Sequence, residues 1–249
     1  MNNTVSIAQS NYVHSMAQQA AAKSSIPMGD VRPKTLIIHL PLKPTDPNYV
    51  FNLNEKEFDK NVLESIGIKE KNAFFAGSFG LLIAKVPVYK DAQNQDKPQF
   101  GNAVYYSFPD ATAFANVAPA PTTEDGWASE AEALRSIYNG TMTINSDTTE
   151  TLGDYSTSNF YFVPQKQSDA TSLNEQQALV SRNLGKIYTF FADKTSKVSI
   201  KLGAGSYKAI VGALPTAVET VGYRNYLCLV ANGSEILNAA ASERKNFNV

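Results

Sequence analysis

Histidine is the commonest general base, and this chain of 249 residues has two, His14 and His39. His14 lies in a polar N-terminal stretch with no apolar shell to move its pKa. His39 sits in the short run Thr35-Leu-Ile-Ile-His-Leu40, next to Pro41. A serine nucleophile would need a G-x-S-x-G or comparable turn, and the sequence has none, so His39 reads as a structural strand residue. Cys228 lies inside Tyr-Leu-Cys-Leu-Val with no basic neighbour to activate it, and reads as a buried, inert thiol. A single cysteine also excludes an intramolecular disulfide framework and any multi-cysteine zinc site.

Phosphate-binding loops fail on spacing. Gly203-Ala-Gly205 would need a glycine where Lys208 stands and a helix after it; a second strand pattern follows instead, so the glycines mark a hairpin turn. Gly185-Lys186 lacks both the upstream glycine and the following Ser or Thr of a P-loop. For hard cations, Asp91 to Asp96 (DAQNQD) offers oxygen ligands in one loop, and Asp147, Thr148 and Asp154 form a second loose group. Neither follows the EF-hand order, so a solvated loop is the default and a structural calcium at a subunit contact the alternative. A glycosidase carboxylate pair would come from distant strands, and no acidic residue stands in the dense aromatic setting of a sugar cleft. The sequence thus nominates no catalytic, cofactor-binding or metal-binding residue and no enzyme activity. The aromatics Tyr105, Tyr106, Phe160, Tyr161, Phe162, Tyr188, Phe190, Phe191 and Tyr207 fall on expected strands. There they pack a core or, facing outward, anchor a permanent interface.

The elements that would carry these residues are mostly strands. Residues 1–29, rich in Ala, Gln, Ser and Asn, read as an arm or a short amphipathic helix closed by Gly29 and Pro33. Strands are expected at Thr35–Leu40 and Tyr49–Leu53. A short helix follows from Asn54, with Phe58, Val62 or Leu63, and Ile66 at helical spacing and Gly67 as its stop. Ala73 to Tyr89 is the longest apolar stretch, and Gly77, Gly80 and Pro87 predict two strands or one bent strand with a bulge. Ala103–Phe108 is again a strand. The Pro/Ala/Thr-rich segment 116–125 is the best linker in the chain. A helix at about 124–136 follows, carrying Trp127, Ala131 and Leu134, and runs into a strand in which Met142 and Ile144 alternate with polar residues. Further strands are expected at Phe160–Pro164, Ile187–Phe191, Val198–Leu202, Tyr207–Val211 and Tyr226–Val230, with Asn232-Gly233 as a tight hairpin turn. About a dozen strands against two or three helices, without regular alternation, predict an all-β sandwich or barrel.

Composition narrows the function classes. With 22 basic and 23 acidic residues the formal charge is −1, leaving no basic excess to hold nucleic acid by electrostatics. The N-terminus has no basic region followed by an apolar run, so a secretory signal is not expected. No run of 18 apolar residues occurs for a spanning helix. Charged residues make up 18% of the chain, below the ~25% usual in soluble domains. About 28% of positions are Ser, Thr, Asn or Gln. A surface of neutral polar and aromatic groups suits lasting contact with other protein.

Two segments carry a resemblance. Leu134–Asn145, LRSIYNGTMTIN, followed after a polar stretch by Asn159–Gln167, NFYFVPQKQ, resembles jelly-roll capsid proteins of tailless, membrane-containing icosahedral phages. These belong to the double jelly-roll lineage that includes adenovirus hexon. The earlier pieces AFFAGSFGLLIAK and VYYSFPD are similar to that group in texture. The resemblance implies two tandem jelly-roll barrels, at 30–120 and 121–249 behind an arm at 1–29, with one or two short helices. The chain is short for sixteen strands, which keeps a single larger jelly roll as the alternative. It further implies a major capsid protein, assembled in the host cytoplasm into homotrimeric capsomers of a virion shell. Its partners would be sister subunits, penton or minor capsid proteins and, through the arm, an internal viral membrane; no specific nucleic acid is expected. The competing readings are a carbohydrate-binding or attachment β-sandwich and a β-sandwich hydrolase.

Overall fold

The longest apolar run takes the second of its two expected forms, one strand with a bulge. In the computed structural model, which describes residues 2–23, 30–58, 65–114, 130–146, 149–163, 181–204 and 208–239, Ala73–Lys90 is a single 18-residue strand. In chain order the elements are α1 (Asn2–Lys23), β1 (Val31–Pro41), β2 (Asn48–Asn52), β3 (Ala73–Lys90), β4 (Asp96–Pro98), β5 (Val104–Tyr106), α2 (Ala111–Phe114), α3 (Glu130–Leu134), β6 (Thr141–Ser146), β7 (Thr149–Ser156), β8 (Tyr188–Phe191), β9 (Ser196–Lys201) and β10 (Val221–Ile236).

They form two antiparallel sheets. In the first, β10 lies between β1 and β3, and the far edge of β3 is taken in turn by β8, β5 and β4. The second runs β2-β9-β6-β7. The architecture is therefore the expected all-β sandwich, mostly strand with few short helices. The strands do not segregate at residue 120, however. β10 joins β1 to β3, and β9 joins β2 to β6, so both sheets mix strands assigned to 30–120 with strands assigned to 121–249. The linker at 116–125 lies outside the described residues.

Alternation explains the layers. In β2, β6 and β9 every second residue is buried, and Phe51, Met142, Ile144, Val198 and Ile200 face the first sheet. β3 and β10 are buried on both faces because the outer side of their sheet is also covered. One half of that side is covered by α1, the other by Phe100 and Tyr105.

Within the arm expected at 1–29 the helical alternative holds, but α1 runs for 22 residues rather than forming a short helix. Its docked stretch buries Val13, Ala17, Ala20 and Ala21 against Val31, Ala73, Phe75 and Ile236 of the chain's own sheet. The stripe is mostly alanine, so its apolar signal in the sequence is weak. Among the described residues no helix is long and apolar enough to cross a membrane. The seat for α1 is a β-bulge: the β3–β10 register steps from Ser78↔Asn232 to Ala76↔Gly233, leaving Gly77 unpaired. A Cβ at Gly77 would run into Cγ2 of Val13.

Five other expectations change. Asn232-Gly233 is no hairpin turn but the interior of β10, pinned by β1 and β3 on either side. Gly233 is needed because a Cβ there would collide with the carbonyl oxygen of Phe75. The helix from Asn54 is a 3-10 turn at Glu55–Glu57, and Ile66 is extended, exchanging both backbone hydrogen bonds with Ile37 at 2.9 and 2.6 Å; residues 59–64 lie outside the description. Phe160 ends a 3-10 turn, Thr157–Phe160, and Lys208–Val211 forms another, in place of strands. The helix expected at 124–136 is described from Glu130 and becomes a 3-10 turn at Arg135–Asn139.

If Gly77 is the seat of α1, Gly77→Ala will cost about 1–3 kcal/mol of stability in urea unfolding. Hydrogen exchange of residues 13–21 will speed up while β10 stays protected. Adding Val13→Ala will restore slow exchange; an unchanged exchange rate in the single variant would refute this seating.

Candidate functional site: polar centres in an apolar sandwich

The residues singled out by chemistry are scattered. His39 is on β1, directly across from Cys228 on β10. Both are buried under the β5 side of the first sheet. The His39 ring lies 4.9 Å from that of Phe100, and its Nε2 is 3.0 Å from Tyr105 Oη. Nδ1 has no hydrogen-bond partner among the described residues. Burial lowers the His39 pKa to about 4 and raises that of the Cys228 thiol, so neither is primed for acid–base or nucleophilic work at neutral pH. His14, on α1, is 3.1 Å from Ser234 Oγ and 3.2 Å from the Gln18 amide nitrogen.

The loop after β3 uses its own carboxylates. Asp91 Oδ1 accepts the backbone N–H groups of Gln93 and Gln95 at 3.0 and 2.8 Å, and Asp91 pairs with Lys97 at 3.5 Å. Asp96 pairs with Lys90 at 3.2 Å. Of the second group, Asp147 and Thr148 lie outside the described residues, and Asp154 is exposed on β7. Among the described residues no three His, Cys, Asp or Glu side chains gather as a metal set. Most of the aromatics fill the interior: Phe79 meets Tyr188 and Phe190 edge-on, and Tyr106 meets Phe114. Tyr161 is 43% exposed, resting on Tyr138 and Phe108.

Two buried carboxylates were invisible in the sequence because their partners come from distant strands. Glu235, on β10, accepts from Arg32 at 2.8 Å, Lys34 at 2.7 Å and Asn72 at 2.9 Å. Burial alone would raise its pKa, but these hydrogen bonds outweigh burial and hold it below the usual carboxylate range. Glu130, on α3, accepts Tyr223 Oη at 2.7 Å and the side-chain amide of Asn225. Burial raises the Glu130 pKa against those two bonds. Beside it Lys85, on β3, donates to the Ala113 carbonyl at 2.6 Å with its Nζ 3.9 Å from the Tyr223 ring centre. Burial lowers the Lys85 pKa. One signal was legible: Lys85 keeps step with Leu81 and Ile83, and Asn225 with Leu227 and Leu229, so both face the core.

Comparison with models of known protein families and with curated proteins finds no match for this chain.

Two outcomes follow from these centres. Because His39 binds its proton at about pH 4 when folded and at 6.5 when unfolded, the unfolded chain takes up more protons between those values. Its contribution is constant above pH 6.5 and costs about 3 kcal/mol by pH 4. Urea titrations of the wild type and His39→Gln should diverge in slope over that window; parallel curves would contradict the burial. Glu235→Gln, which leaves Lys34 buried without its counter-charge, should cost about 3 kcal/mol at pH 7, read as a drop in urea midpoint.

Proposed function

We propose that this chain is a major capsid protein, built as a single jelly roll and assembling as trimers into an icosahedral shell. The observation that carries the reading is the nesting of the ladders. β1 pairs with β10, β2 with β9, β3 with β8 and β6 with β7. The outermost strands of the chain pair first, then each next pair inward, as in a ribbon folded in half. Rolling brings β10 onto β3 and β9 onto β6. Eight antiparallel strands wound this way into two sheets are the build of jelly rolls, a fold used by capsid and lectin domains. The sharing of both sheets between the two halves favours this single roll over two tandem barrels.

The two segments that resemble capsid proteins also meet. Just ahead of the second segment, Thr157 accepts the Gly140 N–H at Oγ1, 2.9 Å, and donates its own N–H to the Gly140 carbonyl at 3.0 Å. Tyr138 packs edge-on against Tyr161 at 5.3 Å. Motif residues far apart in sequence thus form one corner of the fold. The low charge supports the same reading, since neutral polar surface is cheaper to bury between subunits than charged surface. Assembly would sum many weak lateral contacts by closed symmetry. It would take place in the host cytoplasm, with sister subunits, penton or minor proteins and an internal viral membrane as partners.

Sedimentation and electron microscopy of the purified full chain test this. Trimers or shells are the expected result. A persistent monomer overturns it, and a monomer whose melting temperature rises with an added glycan points instead to a carbohydrate-binding module.

A further inference from the structure

The polar centre at Glu130 is arranged for a reaction that needs no ligand. Lys85 and Asn225 are direct partners across the β3–β10 ladder, and both side chains face the interior; partners of this kind have Cβ atoms about 5 Å apart. Asn225 is fully buried. Its Nδ2 donates to Glu130 Oε1 and, at 3.1 Å, to the Ile210 carbonyl, while its buried Oδ1 has no partner among the described residues. Lys85 Nζ lies over the rings of Tyr223 and Phe114, at 3.9 and 5.4 Å from their centres. An amine, a carboxamide and a carboxyl group therefore share one pocket walled by aromatic rings.

We propose that Lys85 and Asn225 become joined by an intramolecular isopeptide bond, with Glu130 carrying the proton. The lone pair of the neutral Lys85 amine attacks Asn225 Cγ, forming the Nζ–Cγ bond. Collapse of the tetrahedral intermediate breaks Cγ–Nδ2. Glu130 takes the proton released by the attacking nitrogen and delivers it to Nδ2, which already rests against its carboxyl and leaves as ammonia. Amine plus carboxamide gives secondary amide plus ammonia, with no change of oxidation state and no co-reactant. The step needs an uncharged amine and a carboxyl that can hold a proton. Burial moves both groups that way, lowering the Lys85 pKa and raising that of Glu130. The product would staple the two central strands of the first sheet where α2 and α3 cap the sandwich. It would close a covalent loop between positions 85 and 225 that survives unfolding.

Intact mass of the purified full chain tests this directly. The expected value is about 17 Da below that of the sequence, the mass of one ammonia, and tryptic mapping should yield one branched peptide joining the Lys85 and Asn225 segments. Lys85→Arg and Glu130→Gln should each restore the full mass. Succinimide formation at Asn139-Gly140 or Asn232-Gly233 would remove the same mass, but would leave Lys85 free and persist in Lys85→Arg. A full-mass wild type after days of native incubation at pH 7, or a mass deficit without the branched peptide, overturns the proposal. The wild-type peptide map decides the matter even if a variant fails to fold.

Discussion

The ladder between β3 and β10 is the constraint on which the other parts depend. It brings residues 73–89 against residues 221–236 in one antiparallel run, interrupted by a single bulge. Its inner face supplies Phe79, Leu81, Ile83, Leu227 and Leu229 to the core. Its outer face receives α1 at one end and Phe100 with Tyr105 at the other. Because these strands are so distant in sequence, closing them carries a large loop-entropy cost before any contact compensates. Length is the compensation: both strands are long, β3 is largely apolar, and β10 carries the apolar stretch Tyr226–Ala231 buried on both faces. The glycines that break this apolarity are the places where another group comes too close for a Cβ, Val13 at Gly77 and the Phe75 carbonyl at Gly233.

The same ladder explains why two carboxylates are buried, and why they behave differently. Each sits on or against the ladder near an end of the sandwich, where the apolar filling runs out and strand ends and caps bring polar groups inward. Glu235 meets two cations and an amide, enough to keep it charged. Glu130 is held by a phenol and an amide, both neutral donors, while the nearby Lys85 donates to a backbone carbonyl and acts on it only through its charge. Neutral donors stabilise a carboxylate less than cations do, so burial wins at Glu130 and loses at Glu235. One centre is a salt lock between β1 and β10; the other is a buried carboxyl held by neutral donors.

Local pattern was legible in the sequence, and pairing was not. Alternation in Met142/Ile144 and Val198/Ile200 was readable because each strand is buried on one side only. The run at 73–89 was ambiguous because two-sided burial erases the period of two, leaving only its glycines and proline to suggest a break. Asn232-Gly233 misled because the turn preference of that dipeptide is a local effect, overridden here by ladders on both sides. An amphipathic helix in 1–29 is one of two readings, and the α1 stripe does not decide between them because alanine buries little area. Nothing in the sequence tied Glu130 to Asn225 or Lys85: each has ordinary neighbours in the chain, and the constellation exists only once β10 lies on β3. Only the inward parity of Lys85 and Asn225 was there to be read.

The two sheets also divide the surface unequally. The first has its outer face covered by its own chain, so little of that face is left for contacts. The outer face of the second is an open grid, Asn48, Val50 and Asn52 beside Lys201, Ser199 and Lys197, beside Thr141, Thr143 and Asn145. Its polarity comes mainly from amides and hydroxyls. A free surface kept soluble by charge resists close packing against a copy of itself, because like charges meet and each ion must lose its water. Amides and hydroxyls exchange hydrogen bonds with water for hydrogen bonds with a neighbour at little net cost. No described residue covers this face, and its amides and hydroxyls, interrupted by Val50, Lys197 and Lys201, are the kind of surface the assembly reading would bury between copies.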